Sequence, residues 1–126
     1  MEPIMYVFLN KSLHMSTGKA AAQAAHAAVE AVFKSESKIV ERWRKVGGHY
    51  TKVVLVVSDT TQMLVVERYL QERGFKTALI IDEGVTEGTY FVPTAMGVEV
   101  VDKDDLHTQM TFSRFKLYSD KKRLLW

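Results

Sequence analysis

The chain has no cysteine among its 126 residues. That excludes disulfides, thiolate nucleophiles and cysteine-ligated zinc or iron–sulfur sites together. Proline occurs twice and glycine seven times. Neither sign of charge dominates: 17 Lys and Arg against 15 Asp and Glu leave a formal charge of +2. This permits a nucleic-acid partner without demanding one. Long hydrophobic runs are missing too. The first, Ile4 to Leu9, is broken by Asn10-Lys11, which is too short for a signal peptide or a membrane span. No membrane contact and a cytoplasmic setting are therefore expected. Absence of both Gly-x-Ser-x-Gly and His-Glu-x-x-His disfavours a standard serine hydrolase or zinc protease.

What remains is a chain of single-domain length with 47% hydrophobic residues, enough to bury a core. Ile4–Leu9, Lys52–Val57 and Thr77–Ile81 are nearly unbroken apolar runs, the pattern of strands covered on both faces. A fourth apolar segment runs from about Thr94 to Val101. Between the runs lie helical patterns. One follows Ser16-Thr17 and ends near Phe33, one carries Ile39, Val40 and Trp43 and stops at Gly47-Gly48, and one starts at Ser58-Asp59-Thr60-Thr61 and closes at Arg73-Gly74. This alternation predicts an α/β fold: a three-layer α/β/α sandwich on a four-stranded, mixed, mostly parallel sheet. Beyond a charged turn at Asp102–Asp105, Phe112, Phe115, Leu117 and Tyr118 suit a short strand or helix against the sheet edge. Lys121-Lys122-Arg123 and the final Leu124-Leu125-Trp126 read as a solvated tail with an apolar end.

The segment Thr17–Val29 is mostly alanine, the best helix former and nearly without bulk. Such a helix can lie very close to the sheet while Lys19, Gln23 and His26 share one face at i, i+4 and i+7. Gly18-Lys19 is not a Walker A loop, since Leu13 stands where its first glycine would be and Ala20 follows the lysine. Ligands of open α/β sheets bind beyond the carboxyl ends of the strands. Both Lys19 and Asp82-Glu83-Gly84-Val85-Thr86-Glu87 fall there. Lys19 stands in a first helical turn, where the helix dipole disfavours a cation, so an acid such as Asp82 or Glu87, or a bound anion, should face it. Asp82, following Leu79-Ile80-Ile81, could act as a base or orient one, or simply form a turn with Gly84. His26 and Gln23 have structural readings beside functional ones, as a satisfied histidine and a backbone-bonded amide.

Two stretches carry a family resemblance. Met15-Ser16-Thr17-Gly18-Lys19-Ala20-Ala21-Ala22-Gln23-Ala24-Ala25-His26-Ala27-Ala28 is similar to the motif Met-x-x-Gly-Lys-Ala/Ile-Ala-Ala-Gln-x-x-His-Ala-Ala. Asp82-Glu83-Gly84-Val85-Thr86-Glu87 is similar to Asp-Ala-Gly-x-Thr-Glu. Both belong to the second class of peptidyl-tRNA hydrolases, the archaeal and eukaryotic type. Trp43, Lys52-Val53-Val54 and Thr94 also line up, so the resemblance covers about Met5 to Val100. Residues 1–101 are expected to form the hydrolase-like domain and 102–126 an extension packed on it or trailing from it. Departures from the pattern are Thr17 for a lysine, Glu83 for an alanine, Tyr90-Phe91-Val92-Pro93 in the following loop, and Glu99-Val100 where the family ends in Gly-Pro.

The resemblance implies hydrolysis of the ester between a peptide and the terminal ribose of tRNA, with no metal or organic cofactor. It implies a reaction centre of Lys19, Asp82 and Thr86, supported by Gln23, His26 and Thr94. Lys38, Arg42, Lys45 and His49 could then follow the tRNA backbone. Family members often pair, so a homodimer is allowed. Competing readings are a catalytically silent RNA- or protein-binding module on the same scaffold, and an esterase or amidase for a small acylated molecule.

Overall fold

The computed structural model describes residues 1–46, 49–82 and 92–119. Its sheet is built on β1 (Pro3–Asn10), which is buried along its whole length. Alternate residues of a strand face opposite ways, and those of β1 enter two different clusters. Ile4, Tyr6 and Phe8 pack with Met63, Val66, Leu70 and Phe112. Met5, Val7 and Leu9 pack with Ala20, Ala27, Ala31 and Trp43. Burial on both faces is why this strand has no polar residue before Asn10.

After a 3-10 turn, Lys11–Leu13, comes α1 (Thr17–Lys34), whose Ser16 hydroxyl caps the Lys19 N–H at 3.3 Å. Then follow α2 (Ser37–Lys45), β2 (Lys52–Val57), α3 (Thr60–Glu72), β3 (Thr77–Asp82) and β4 (Val92–Val98). Trp43 anchors α2 by donating its indole N–H to the Thr51 carbonyl at 2.8 Å. The expected stop at Gly47-Gly48 lies outside the described residues. Asp59 caps α3 through the Gln62 N–H at 2.8 Å, and Gly74, at φ +91°, turns the chain away from its end.

The sheet order is β3-β4-β1-β2-β6, with β5 (Val101–Asp102) also pairing to β1 and β6 (Lys116–Leu117) to β2. This corrects the expectation of four mostly parallel strands. The described residues form six strands, and β1·β2 is the parallel ladder among them, the other four being antiparallel. The reason is connection length. A parallel neighbour needs a crossover of roughly a dozen residues or more, whereas only the nine residues 83–91 separate β3 from β4. The apolar run that suggested one segment to Val101 divides at Glu99-Val100, and its last residue starts β5.

Helix α1 crosses β4 at Gly97. A Cβ there would lie 2.3 Å from the Ala27 carbonyl oxygen and 2.9 Å from the Ala31 Cβ. Glycine on the strand and alanine on the helix thus bring the two backbones together.

The region after β5 contains both kinds of element, since α4 (Leu106–Phe112) precedes β6. Phe112 stacks on Tyr6 with centroids 4.0 Å apart and meets Phe75 edge-on at 5.2 Å. It is 4% exposed. Phe112→Ala should therefore destabilise the fold by about 3–5 kcal/mol, the usual cost of deleting a buried aromatic ring. Urea titration checks this, with a midpoint shift and an unchanged slope as the expected result. Among the described residues no helix is long and apolar enough to cross a membrane.

Candidate active site

Strands β1, β2 and β3 point the same way and β4 runs against them. The end of β3 and the start of β4 therefore meet at one edge of the sheet, with Asp82 paired to Val92. The ladder slips between Ile80 and Ile81, the kind of irregularity that re-aims the residues beyond it. Helix α1 starts at this same edge. Lys19 Nζ lies 3.1 Å from Asp82 Oδ2, with the two side chains 50% and 31% exposed. An ion pair so open to water contributes only about 0–1 kcal/mol.

One turn further along α1, Gln23 Oε1 accepts the Thr94 hydroxyl proton at 2.5 Å. Thr94 is 1% exposed, and its Oγ1 also lies 3.4 Å from the Ile80 carbonyl. Gln23 is thus tied to β4 through its oxygen, and its Nε2 has no hydrogen-bond partner among the described residues. His26, on the same helix face, is exposed and has no hydrogen-bond partner among the described residues. Thr86 lies outside the described residues, as do Glu83 and Glu87. Lys19, Gln23, Asp82 and Thr94 are therefore brought together around the α1–β3–β4 edge. His26 lies further along the same helix face, seven residues past Lys19.

In the sequence, Asn10 stands out only as the break in an apolar run. As the last residue of β1 it is 1% exposed. Its amide donates to the Pro93 carbonyl at 2.9 Å and to Thr60 Oγ1 at 3.1 Å. Its oxygen accepts from Ser12 N–H at 3.1 Å and Ser12 Oγ at 2.7 Å. All the hydrogen-bonding capacity of an amide group is used, joining the end of β1 to the starts of β4 and α3. A polar residue at the end of a fully buried strand was the available signal.

On α2, Lys38, Arg42 and Lys45 are exposed. Glu41 takes Lys45 at 2.9 Å and Arg44 at 3.0 Å, and these hydrogen bonds hold its carboxyl below the usual carboxylate range. Lys38 and Arg42 make no ion pair among the described residues. His49 stands at φ +55° with Nδ1 2.5 Å from the Arg44 carbonyl oxygen. Among the described residues no group of three or more His, Asp or Glu side chains could hold a metal ion.

A family model described as peptidyl-tRNA hydrolase PTH2 matches residues 4–118. The chain belongs to this family. The peptidyl-tRNA hydrolase of Pyrobaculum aerophilum is 35% identical over 113 residues, covering 82% of this chain and 92% of that protein. That of Nanoarchaeum equitans is 31% identical over 121 residues, covering 91% and 99%. The Thermococcus onnurineus protein of the same name is 33% identical over 109 residues, covering 81% and 92%. The PTH2 match continues past Val100, where the motif-bearing resemblance stops, and takes in β5, α4 and β6.

Proposed function

We propose that the chain is a peptidyl-tRNA hydrolase, cleaving the ester between a peptide and the 3′-terminal ribose of tRNA. The observation that carries this reading is the contact of Lys19 with Asp82 at the open sheet edge. Lys19 is a cation in the first turn of a helix, where the dipole opposes it, and its exposed ion pair stabilises too little to account for its presence. A base beside a cation is what ester hydrolysis uses. Asp82, with Thr86 as the third member of the centre, orients a water and accepts its proton as the water oxygen attacks the ester carbonyl. Lys19 stabilises the oxyanion and then the ribose oxygen as the C–O bond breaks and that oxygen takes up a proton. Gln23, fixed by Thr94, offers its amide N–H groups one turn away, and His26 supports the same face.

The tRNA backbone follows α2, on which Lys38, Arg42 and Lys45 are exposed, and His49 beyond its end. Replacing Lys38, Arg42 and Lys45 by Gln together should weaken tRNA binding. It should also lower the slope of log Kd against log salt by about one for every phosphate no longer neutralised. Kd measured at several salt concentrations reads both, and an unchanged slope rejects this path.

On the same reading the fold is a three-layer sandwich, with α1 and α2 over one sheet face and α3 and α4 over the other. The two clusters built from alternate β1 residues support this. Residues 1–101 carry the reaction centre of the hydrolase-like domain, and α4 and β6 beyond them are held to the same sheet through Phe112 and the pairing of β6 with β2. The protein works in the cytoplasm, where peptidyl-tRNA arises, and the family resemblance allows it to act as a homodimer. The deciding experiment incubates the protein with peptidyl-tRNA labelled in the peptide and follows separation of label from tRNA. Release at catalytic protein concentrations supports the reading, and no release rejects it.

A further inference from the structure

On the side of α1 away from Lys19 are two adjoining hollows that share Tyr118. One, of about 290 Å³, is lined by Asn10, Lys11, His14, Met15, Tyr118 and Ser119. The other, of about 230 Å³, is lined almost entirely by apolar groups, among them Leu9, Ala21 and Val54. Tyr118 is pinned in this position, its backbone N–H donating to the Val54 carbonyl at 2.9 Å while its side chain packs on the α1-side core. His14 is held at φ +48°, its N–H bonded to the Lys11 carbonyl at 3.2 Å. A left-handed backbone at a residue other than glycine is costly and persists where its surroundings enforce it. Here it brings Lys11 and His14 into one hollow.

An aromatic ring with a lysine and an imidazole at one end and an apolar trough at the other has the chemistry of a nucleotide site, with base on ring and phosphate against the lysine and the imidazole N–H. An apolar peptide side chain would use the trough and leave Lys11 and His14 without purpose, so the charge favours RNA. Lys11 follows β1, two strands from β3 in the sheet order, while Tyr118 follows β6, four strands from it. At the usual strand spacing the hollows therefore extend from roughly 10 to roughly 20 Å from Asp82, a gap that an unpaired stretch of several nucleotides bridges.

We propose that this Tyr118 cleft binds an unpaired nucleotide of the tRNA 3′ end, upstream of the terminal nucleotide whose ester is cleaved. The base stacks on Tyr118 and its phosphate meets Lys11 and His14. The proposal rests on peptidyl-tRNA being the substrate, and it names a part of the substrate that the Lys19–Asp82 centre does not hold.

The test measures two quantities on the whole protein: Kd for a single-stranded RNA tetranucleotide of the tRNA 3′-terminal sequence, and KM and kcat for peptidyl-tRNA. Tyr118→Ala should weaken tetranucleotide binding by roughly five- to a hundred-fold, the range for losing one stacked base. Tyr118→Phe, which keeps the ring, should restore it to within about twofold of the wild type on the same grounds. With peptidyl-tRNA, KM should rise in Tyr118→Ala by a larger factor than kcat falls. Lys11→Gln, at an exposed position away from the core, should weaken binding and reduce its salt dependence without touching the ring. Equal tetranucleotide affinity in wild type and Tyr118→Ala overturns the cleft while leaving the hydrolase reading intact. Ring-dependent tetranucleotide binding without release from peptidyl-tRNA overturns the hydrolase reading and leaves the cleft. Ring-dependent binding of an acylated peptide in place of the RNA also overturns the proposal.

Discussion

Asp82→Asn is expected to lower kcat for peptidyl-tRNA hydrolysis on the order of 10²–10⁴-fold, the usual worth of a positioned general base. Asn keeps the shape of the carboxylate and can still accept a hydrogen bond from Lys19, but it cannot take a proton from water. Lys19→Met should cost about 10²–10³-fold, as loss of a donor aimed at a developing oxyanion does. Groups that act together are strongly non-additive. The double variant should consequently be little slower than Asp82→Asn alone. Stability supplies the control. Because the ion pair is open to water, Lys19→Met should not remove more than about 1 kcal/mol, and its melting curve should nearly coincide with that of the wild type. Single-turnover rates within threefold of the wild type would remove both residues from the chemistry.

Gly97→Val should be among the most damaging substitutions for the fold. The smallest side-chain atom at this position falls 2.3 Å from a backbone carbonyl oxygen of α1, and a carbonyl in mid-helix cannot swing aside as a flexible side chain can. The helix must lift off β4 as a body, opening the packing around Ala20, Ala27 and Ala31. A cost of at least about 3 kcal/mol follows, the upper end for overpacking, with a fall in Tm on the order of 10 °C. Gly18→Ala is the matched comparison. A Cβ at Gly18 meets nothing within 4 Å, and alanine favours helix by up to about 1 kcal/mol, so this variant should be as stable as the wild type or slightly more. Equal melting temperatures for Gly97→Val and the wild type would show that α1 is not seated as described.

Much of this could be read from the residues because local preference and burial agree. β1 has apolar side chains for both faces, Ser16 and Asp59 cap the helices that follow them, and alanine marks the helix that lies closest to the sheet. The meeting of Lys19 with Asp82 was legible from two facts: a cation sat where a helix dipole opposes it, and a carboxylate ended a buried strand at the same edge. The direction of β4 was harder, since an apolar run looks alike in either sense. Only the short span from Asp82 to Val92 distinguished a return strand from a crossover. The role of Asn10 escapes a reading of the sequence because, besides its local bonds from Ser12, its amide N–H groups reach partners 50 and 83 residues away. The short β5 and β6 were hidden for a similar reason, each being defined by its partner strand more than by its own two residues.

The sheet order also bears on how the protein is made. β1 pairs with β2 within the first 57 residues, but its other edge waits for β4, which ends at Val98. During synthesis from the N-terminus, the most apolar strand of the chain keeps one edge open until nearly four-fifths of the sequence has been made. An open apolar edge invites pairing with another chain, and pairings this distant in sequence form slowly. The hazardous period for the nascent protein is therefore the interval between completion of β2 and arrival of β4. Whatever shields the edge of β1 then must leave before Gly97 can close against α1.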